Sequence, residues 1–227
     1  MTVPFYVSPE QITRDKADFA RKGIARGKSV VLIQAQDAIV FVAENPSKAL
    51  HKISEIYDRI GFAAVGKYNE FENLRVSGIR FADLRGYAYD RSDVSARSLA
   101  NAYAQTLGTV FTDALKPLEV ELLVAEIGMT MESDEIYRLT FDGSVVDEKN
   151  FVAVGGDSEK INELLKESWN KNIESKEAIK LSLKMLNEAS TSDKKITNES
   201  IEVALLDRNK IGHYNMSSKK HSHLFGG

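Results

Sequence analysis

The sequence contains no cysteine, which excludes a disulfide framework, a thiolate nucleophile, a zinc knuckle and an iron–sulfur cluster. Four histidines leave little material for a metal site, and no cofactor is expected. No apolar run approaches the roughly 20 residues that cross a bilayer, and the opening MTVPFYVSPEQ lacks the basic and apolar regions of a signal peptide. A soluble, cytoplasmic chain with no membrane partner is expected. Surplus basic charge is missing too. Against 33 Asp plus Glu stand 30 Lys plus Arg, a formal net charge of -3, so no polycationic surface awaits a nucleic acid backbone. The Lys219-Lys220 pair is too small to change that. What the chain does have is core material: 227 residues, 43% of them hydrophobic, enough for one large domain or two small ones.

Ser8-Pro9-Glu10-Gln11 supplies a helix start, with Ser8 as N-cap, Pro9 at the first helical position and Gln11 placed to reach back in a capping box. This helix should run over residues 8–26. Its apolar stripe is thin, with Ile12, Phe19 and Ala20 on one face and charge elsewhere, so it suits a partner surface better than its own core. VVLI and AIVFVA around Gln34–Asp37 read as two strands, and Lys52–Ile56 with Gly61–Val65 as a further hairpin. Two helices follow, one carrying Phe71, Leu74, Gly78 and Ala82, the next Leu99, Tyr103, Leu107, Val110 and Phe111. Lys116-Pro117 closes that helical region.

Alternation then resumes through Leu118, Val120, Leu122 and Val124, and Ile136–Phe141 and Val145–Val154 flank Asp142-Gly143, a two-residue hairpin signal. A second helix pair carries Ile161, Leu164, Leu165 and Ser168, then Ile179, Ser182, Leu183 and Leu186. After a polar loop at Thr191–Lys195, Ile201, Val203 and Leu205 mark a last strand. From Arg208 the chain turns polar, and residues 208–227 are expected to be a disordered tail. Strands, helix pair, strands, helix pair, strand fits neither βαβ alternation nor an all-β sandwich. It predicts one α+β domain over residues 1–207, a four-layer α/β/β/α sandwich of two mostly antiparallel sheets.

The stretches YVSPEQITRDKADFARKGIARGKSVV, FVAENPSKALHKISEIYDRIGFAAVGKYNEFENLR, ADLRGYAYDRSDVSARSLANAYAQTLGTVFT and LTFDGSVVDEKNFVAVGG resemble the α-type subunits of bacterial, actinobacterial-type 20S proteasomes. The resemblance runs from about Pro4 to Asp207. It implies the N-terminal nucleophile hydrolase fold and a heptameric outer ring of neighbouring α subunits on proteolytic β subunits, without catalysis of its own. It further implies a gated pore and pockets that dock the C-terminal tails of an activating AAA ATPase ring or another ring activator. Substrates would carry the prokaryotic ubiquitin-like protein.

On the same resemblance, residues 1–7 form the gate segment, with Pro4, Phe5, Tyr6, Val7, Ser8 and Pro9 as gate residues. The Tyr-Asp-Arg gate motif of archaeal and eukaryotic members is absent, leaving apolar packing to close the pore. Lys52 and Gly66 line the activator pocket, Lys67 beside them either adding charge or facing solvent, and Ile12 and Phe19 meet adjacent α subunits. The threonine nucleophile of β subunits falls at Lys28, its acidic partner near Glu44 and its lysine at Lys52. Lysine cannot replace the threonine. The alternative reading is a stand-alone hydrolase processed at Ser29, which requires a cut that discards the first helix. Ser8, Ser95, Ser98 and His51 show no triad pattern, Gly155-Gly156 lacks a phosphate-loop context, and His213, His221 and His223 lie in the polar tail.

Overall fold

The computed structural model describes residues 8–47, 49–190, 196–197, 200–209 and 214–218. Two five-stranded antiparallel sheets form its centre. In the first, β1 (Val30–Gln34), β2 (Ala38–Glu44), β8 (Phe151–Val154), β9 (Ile201–Asp207) and β10 (Tyr214–Ser218) lie in the order β10-β9-β2-β1-β8. The second comprises β3 (Ile53–Tyr57), β4 (Ile60–Gly66), β5 (Val120–Glu126), β6 (Glu135–Leu139) and β7 (Val145–Asp147), in chain order. Leu32, Phe41, Ala63, Leu123, Val152 and Leu206 fill the space between the sheets.

Each outer face is covered by one helix pair. α2 (Tyr68–Ala88) and α3 (Ala96–Asp113) bury Phe71, Leu74, Leu99 and Leu107 against Phe62, Leu122 and Val124. α4 (Ser158–Ser168) and α5 (Ser175–Ala189) bury Ile161, Leu165, Ile179 and Leu186 against Val31, Ile33, Val40 and Val42. The predicted four layers are thus present. A strand between two such layers has no wet face, which is why β1 is apolar from Val30 to Ile33 and buried throughout.

α1 (Pro9–Ala25) packs across the ends of β4 and β5. Ser8 caps it as expected, its Oγ accepting from Gln11 N at 3.2 Å. The reciprocal half of the capping box is not made, because the Gln11 side chain donates to Asp15 Oδ1 at 2.7 Å. The stripe is also divided: Ala20 and Ile24 enter the inter-sheet core, whereas Ile12 and Phe19 are each 46% exposed. Seven residues advance a helix by nearly two full turns, which aligns Ile12 with Phe19 and leaves Ala20 about 100° away.

Two expectations of the chain's second half change. Residues 145–154 are two strands, with β7 paired to β6 in one sheet and β8 paired to β1 in the other. Asn150, at φ 71°, makes the crossing in a left-handed conformation that asparagine tolerates. The Asp142-Gly143 turn is longer than two residues: Thr140 N donates to Ser144 O at 3.1 Å across Phe141, Asp142 and Gly143. Within the stretch expected to be a disordered tail, β10 pairs with β9 and the Arg208 guanidinium meets Asp134 at 2.7 and 2.8 Å. Residues 1–7, 191–195, 210–213 and 219–227 lie outside the described residues, and with them Pro4 to Val7, His213, His221, His223 and Lys219-Lys220.

Candidate functional site

The C-terminal turn of α1 delivers the chain into β1 at Lys28 and Ser29, where the end of β2, the segment before β3 and the end of β4 converge. The Lys28 ammonium lies 2.9 Å from Glu44 Oε1, and its carbonyl oxygen accepts from Lys52 Nζ at 2.6 Å. The three positions that the resemblance aligned are therefore neighbours in space. Ser29 is 3% exposed, its peptide oxygen accepts from Glu44 N at 3.1 Å, and its Oγ accepts from Asp157 N at 3.2 Å. That hydroxyl is held as a turn acceptor on the path into α4.

Glu202 organises this region, and the sequence pattern conceals it. It is 2% exposed on β9 and accepts from Asn45 Nδ2 at 2.8 Å, Lys52 N at 3.0 Å and Ile53 N at 3.2 Å, with His51 Nδ1 3.3 Å away. A buried carboxylate tolerates its desolvation only through such donors. The consequence is that the loop carrying Lys52 is pinned from a residue about 150 positions downstream.

Lys52 itself is half-buried. Removal from water holds its ammonium below the usual lysine range, at about 8, against the opposing pull of Glu44 and Glu202, while Lys28 adds to the depression. Its backbone oxygen accepts from Ala64 N at 3.0 Å, which sets it beside β4 two residues before Gly66. Gly66 has φ +115°, and a Cβ there would lie 1.9 Å from Glu119 O. Only glycine fits, for conformation and for space. Lys67 follows as the N-cap residue of α2, donates its N–H to Glu119 O at 2.9 Å, and sends its ammonium to within 3.5 Å of Glu70 Oε1.

Ser8 and Pro9 are not brought to this cluster. They start a 17-residue helix whose far end leads into Lys28, a separation of about 25 Å at 1.5 Å per residue. Phe19 lies between, with Lys116 Nζ 5.2 Å from its ring centroid. A cleft of about 520 Å³ at the opposite end of the sandwich is lined by Gln34, Asp134, Tyr137 and Asp147 and holds none of the residues singled out from the sequence. Among the described residues no group of His, Asp and Glu is arranged to hold a metal ion, and no helix is long and apolar enough to cross a membrane.

The family model for proteasome subunits matches residues 24–206, the whole span from the end of α1 to β9. The chain belongs to the proteasome subunit family. Among relatives of this proteasome family member is the protein named proteasome subunit alpha of Kineococcus radiotolerans, 59% identical over 216 residues, covering 92% of this chain and 91% of that one. Proteins of the same name from Xylanimonas cellulosilytica, 61% identical with coverages of 92% and 88%, and Thermomonospora curvata, 60% identical with 92% and 91%, are equally similar. Lys28, Glu44 and Lys52 are thus joined by one ion pair and one hydrogen bond at the start of β1.

Proposed function

We propose that this chain is the non-catalytic α subunit of a 20S proteasome. In this reading it forms a heptameric outer ring on a threonine-type β subunit in the cytoplasm, and residues 1–7 gate the pore. The pocket of Lys52, Gly66 and Lys67 docks the C-terminal tails of an activating ATPase ring that delivers proteins tagged with prokaryotic ubiquitin-like protein. The observation that carries the non-catalytic part is the state of the chain at Lys28-Ser29. An N-terminal nucleophile needs a free α-amine as base and a hydroxyl or thiol beside it, and here residue 28 is a lysine joined by Arg26 and Gly27 to α1, whose Ala20 and Ile24 are seated in the core.

Processing at Ser29, the alternative, would strip those two side chains from the inter-sheet core and leave a cavity at that end. Intact mass spectrometry of the chain purified from the assembled particle decides between the readings. The proposal expects an N-terminus that retains α1, and a chain beginning at Ser29 would overturn it.

The docking part is supported by what Lys52 offers. An ammonium has three N–H donors; one is given to Lys28 O, and Glu44 and Glu202 are engaged elsewhere. An incoming terminal carboxylate therefore meets a fixed cation, for a charge-assisted bond of about 1.5–3 kcal/mol.

The ring contact is supported by the exposure of Ile12 and Phe19 on an otherwise charged helix. Phe19→Lys places a second cation beside Lys116 and buries it unpaired in the contact, at a cost of about 3–5 kcal/mol per interface. Native mass spectrometry should then show rings dissociating to smaller species, whereas rings of unchanged stability would remove α1 from the interface. For the gate, deleting residues 2–7 should raise the rate at which the α/β particle hydrolyses short peptides. Equal rates before and after deletion would place control of the pore elsewhere.

A further inference from the structure

Glu119, the residue before β5, makes contacts in two directions. Through its backbone it meets the site of Gly66 and Lys67: its peptide oxygen accepts from Lys67 N at 2.9 Å and is the atom that a Gly66 Cβ would strike. Its N–H donates to Glu70 Oε2, in the first turn of α2, at 2.7 Å. Its side chain runs the other way, to α1. A Cβ on Gly23 would lie 2.1 Å from Glu119 Oε2, and Glu119 Oε1 holds Lys116 Nζ at 2.7 Å, with that ammonium 5.2 Å from the Phe19 ring centroid. One further oxygen is contested. Glu70 Oε1 lies 3.5 Å from Lys67 Nζ and 3.6 Å from Lys116 Nζ, so neither cation closes on it. Both carboxylates are largely buried while both ammonium groups are half exposed, so the cations can exchange partners over carboxylates that stay in place. With Lys67 withdrawn, Glu70 attracts Lys116 alone, away from Glu119 and from the Phe19 ring.

We propose that Glu119 is a positioning residue that couples the site of Gly66 and Lys67 to α1. A carboxylate arriving at Lys67 draws that ammonium off Glu70, Glu70 draws Lys116 off Glu119, and the C-terminal half of α1 loses a charged contact. On the docking and gating readings given above, on which this consequence rests, the exchange carries the arrival of an activator tail to the helix that follows residues 1–7.

Hydrogen exchange of the α1 amides, followed by mass spectrometry in the assembled α/β particle, tests the coupling without an activator. Lys67→Met removes the ammonium and alters no residue of α1, yet α1 should exchange about three- to fivefold faster, the weight of one half-exposed ion pair. Glu119→Gln, which keeps the shape of the side chain against Gly23, should have the same effect. Combined with Lys67→Met it should add nothing, since both act through one contact. Gly23→Ala gives a third reading: alanine is the better helix former, but its methyl group displaces the Glu119 carboxylate, so exchange should rise where helix propensity alone would slow it. Wild-type α1 exchange in Lys67→Met, a double variant in which the two effects multiply, or slower exchange in Gly23→Ala would each overturn the proposal. Hydrolysis of short peptides should rise in the same variants. Coupled exchange with unchanged hydrolysis would support the role of Glu119 and overturn the gating reading instead.

Discussion

Replacing Lys52 by alanine should nearly abolish activator-dependent protein degradation by the assembled particle. Each docked tail loses a charge-assisted bond of about 1.5–3 kcal/mol, roughly a ten- to hundredfold fall in occupancy. Tails that bind one ring together multiply that loss, because each depends on the effective concentration supplied by the others. The ammonium must also be charged to act. Its pKa of about 8 lies below the ordinary 10.5, so docking should weaken as pH rises from 7 to 9, with a midpoint moved above 8 by the bound carboxylate.

Lys52→Arg, which stays charged across that range, should flatten the profile. The same depression has a stability signature of opposite sense. Between about 8 and 10.5 the unfolded chain binds the proton that the folded chain has lost, so the Lys52 contribution makes stability rise with pH over that window. Degradation rates of wild type, Lys52→Ala and Lys52→Arg against pH, with ring mass checked for each, test this. An alanine variant that degrades at the wild-type rate would remove Lys52 from the pocket.

The second large effect is structural. Asp134 has a side chain that is 0% exposed and takes both Arg208 bonds, with Gly128 N and Gln34 Nε2 as its other donors. Arg208 also donates to Gly128 O at 2.9 Å and Gln36 O at 3.0 Å. Since Gln36 follows β1 and Asp134 precedes β6, the guanidinium ties one sheet to the other. Arg208→Met leaves a buried carboxylate without its counter-charge, a loss of about 3–5 kcal/mol, which lowers the melting temperature by about 6–20 °C for a chain of this size. Arg208→Met with Asp134→Leu should recover much of it, because the charge is then gone with its partner. A melting temperature within about 2 °C of wild type for the single variant would show that the clasp does not hold the sheets.

The four layers were legible because each helix pair carries its own apolar face, such as Phe71, Leu74 and Ala82 or Ile161 and Leu165, and because short apolar runs separate the pairs. What escaped depends on pairing across long stretches of chain. In VVDEKNFVAV the run Asp147 to Asn150, poor in strand formers, marks a break, but local propensity does not say that the chain changes sheets there, at the left-handed Asn150. Glu202 reads as the polar side of an alternating strand until β9 is set between β2 and β10, with the segment before β3 laid over it. Arg208 reads as the first residue of a polar tail because Asp134 lies 74 positions away.

The site divides in the same manner. Lys28, Glu44 and Lys52 were brought together by likeness to a family and then by geometry, while the structural need for glycine at Gly66 required the position of Glu119 O. Periodicity misplaced Ala20, because a stripe on a helical wheel does not say which of its edges the sheets will cover.

The most direct measurement is native mass spectrometry, with electron microscopy, of this chain co-produced with its β partner. Particles of four stacked rings, with seven intact copies of this chain in each outer ring and peptide hydrolysis that requires the β partner's threonine, are the outcome expected of a non-catalytic α subunit. A chain that remains outside such particles, or that hydrolyses peptides alone after losing the residues before Ser29, would contradict it.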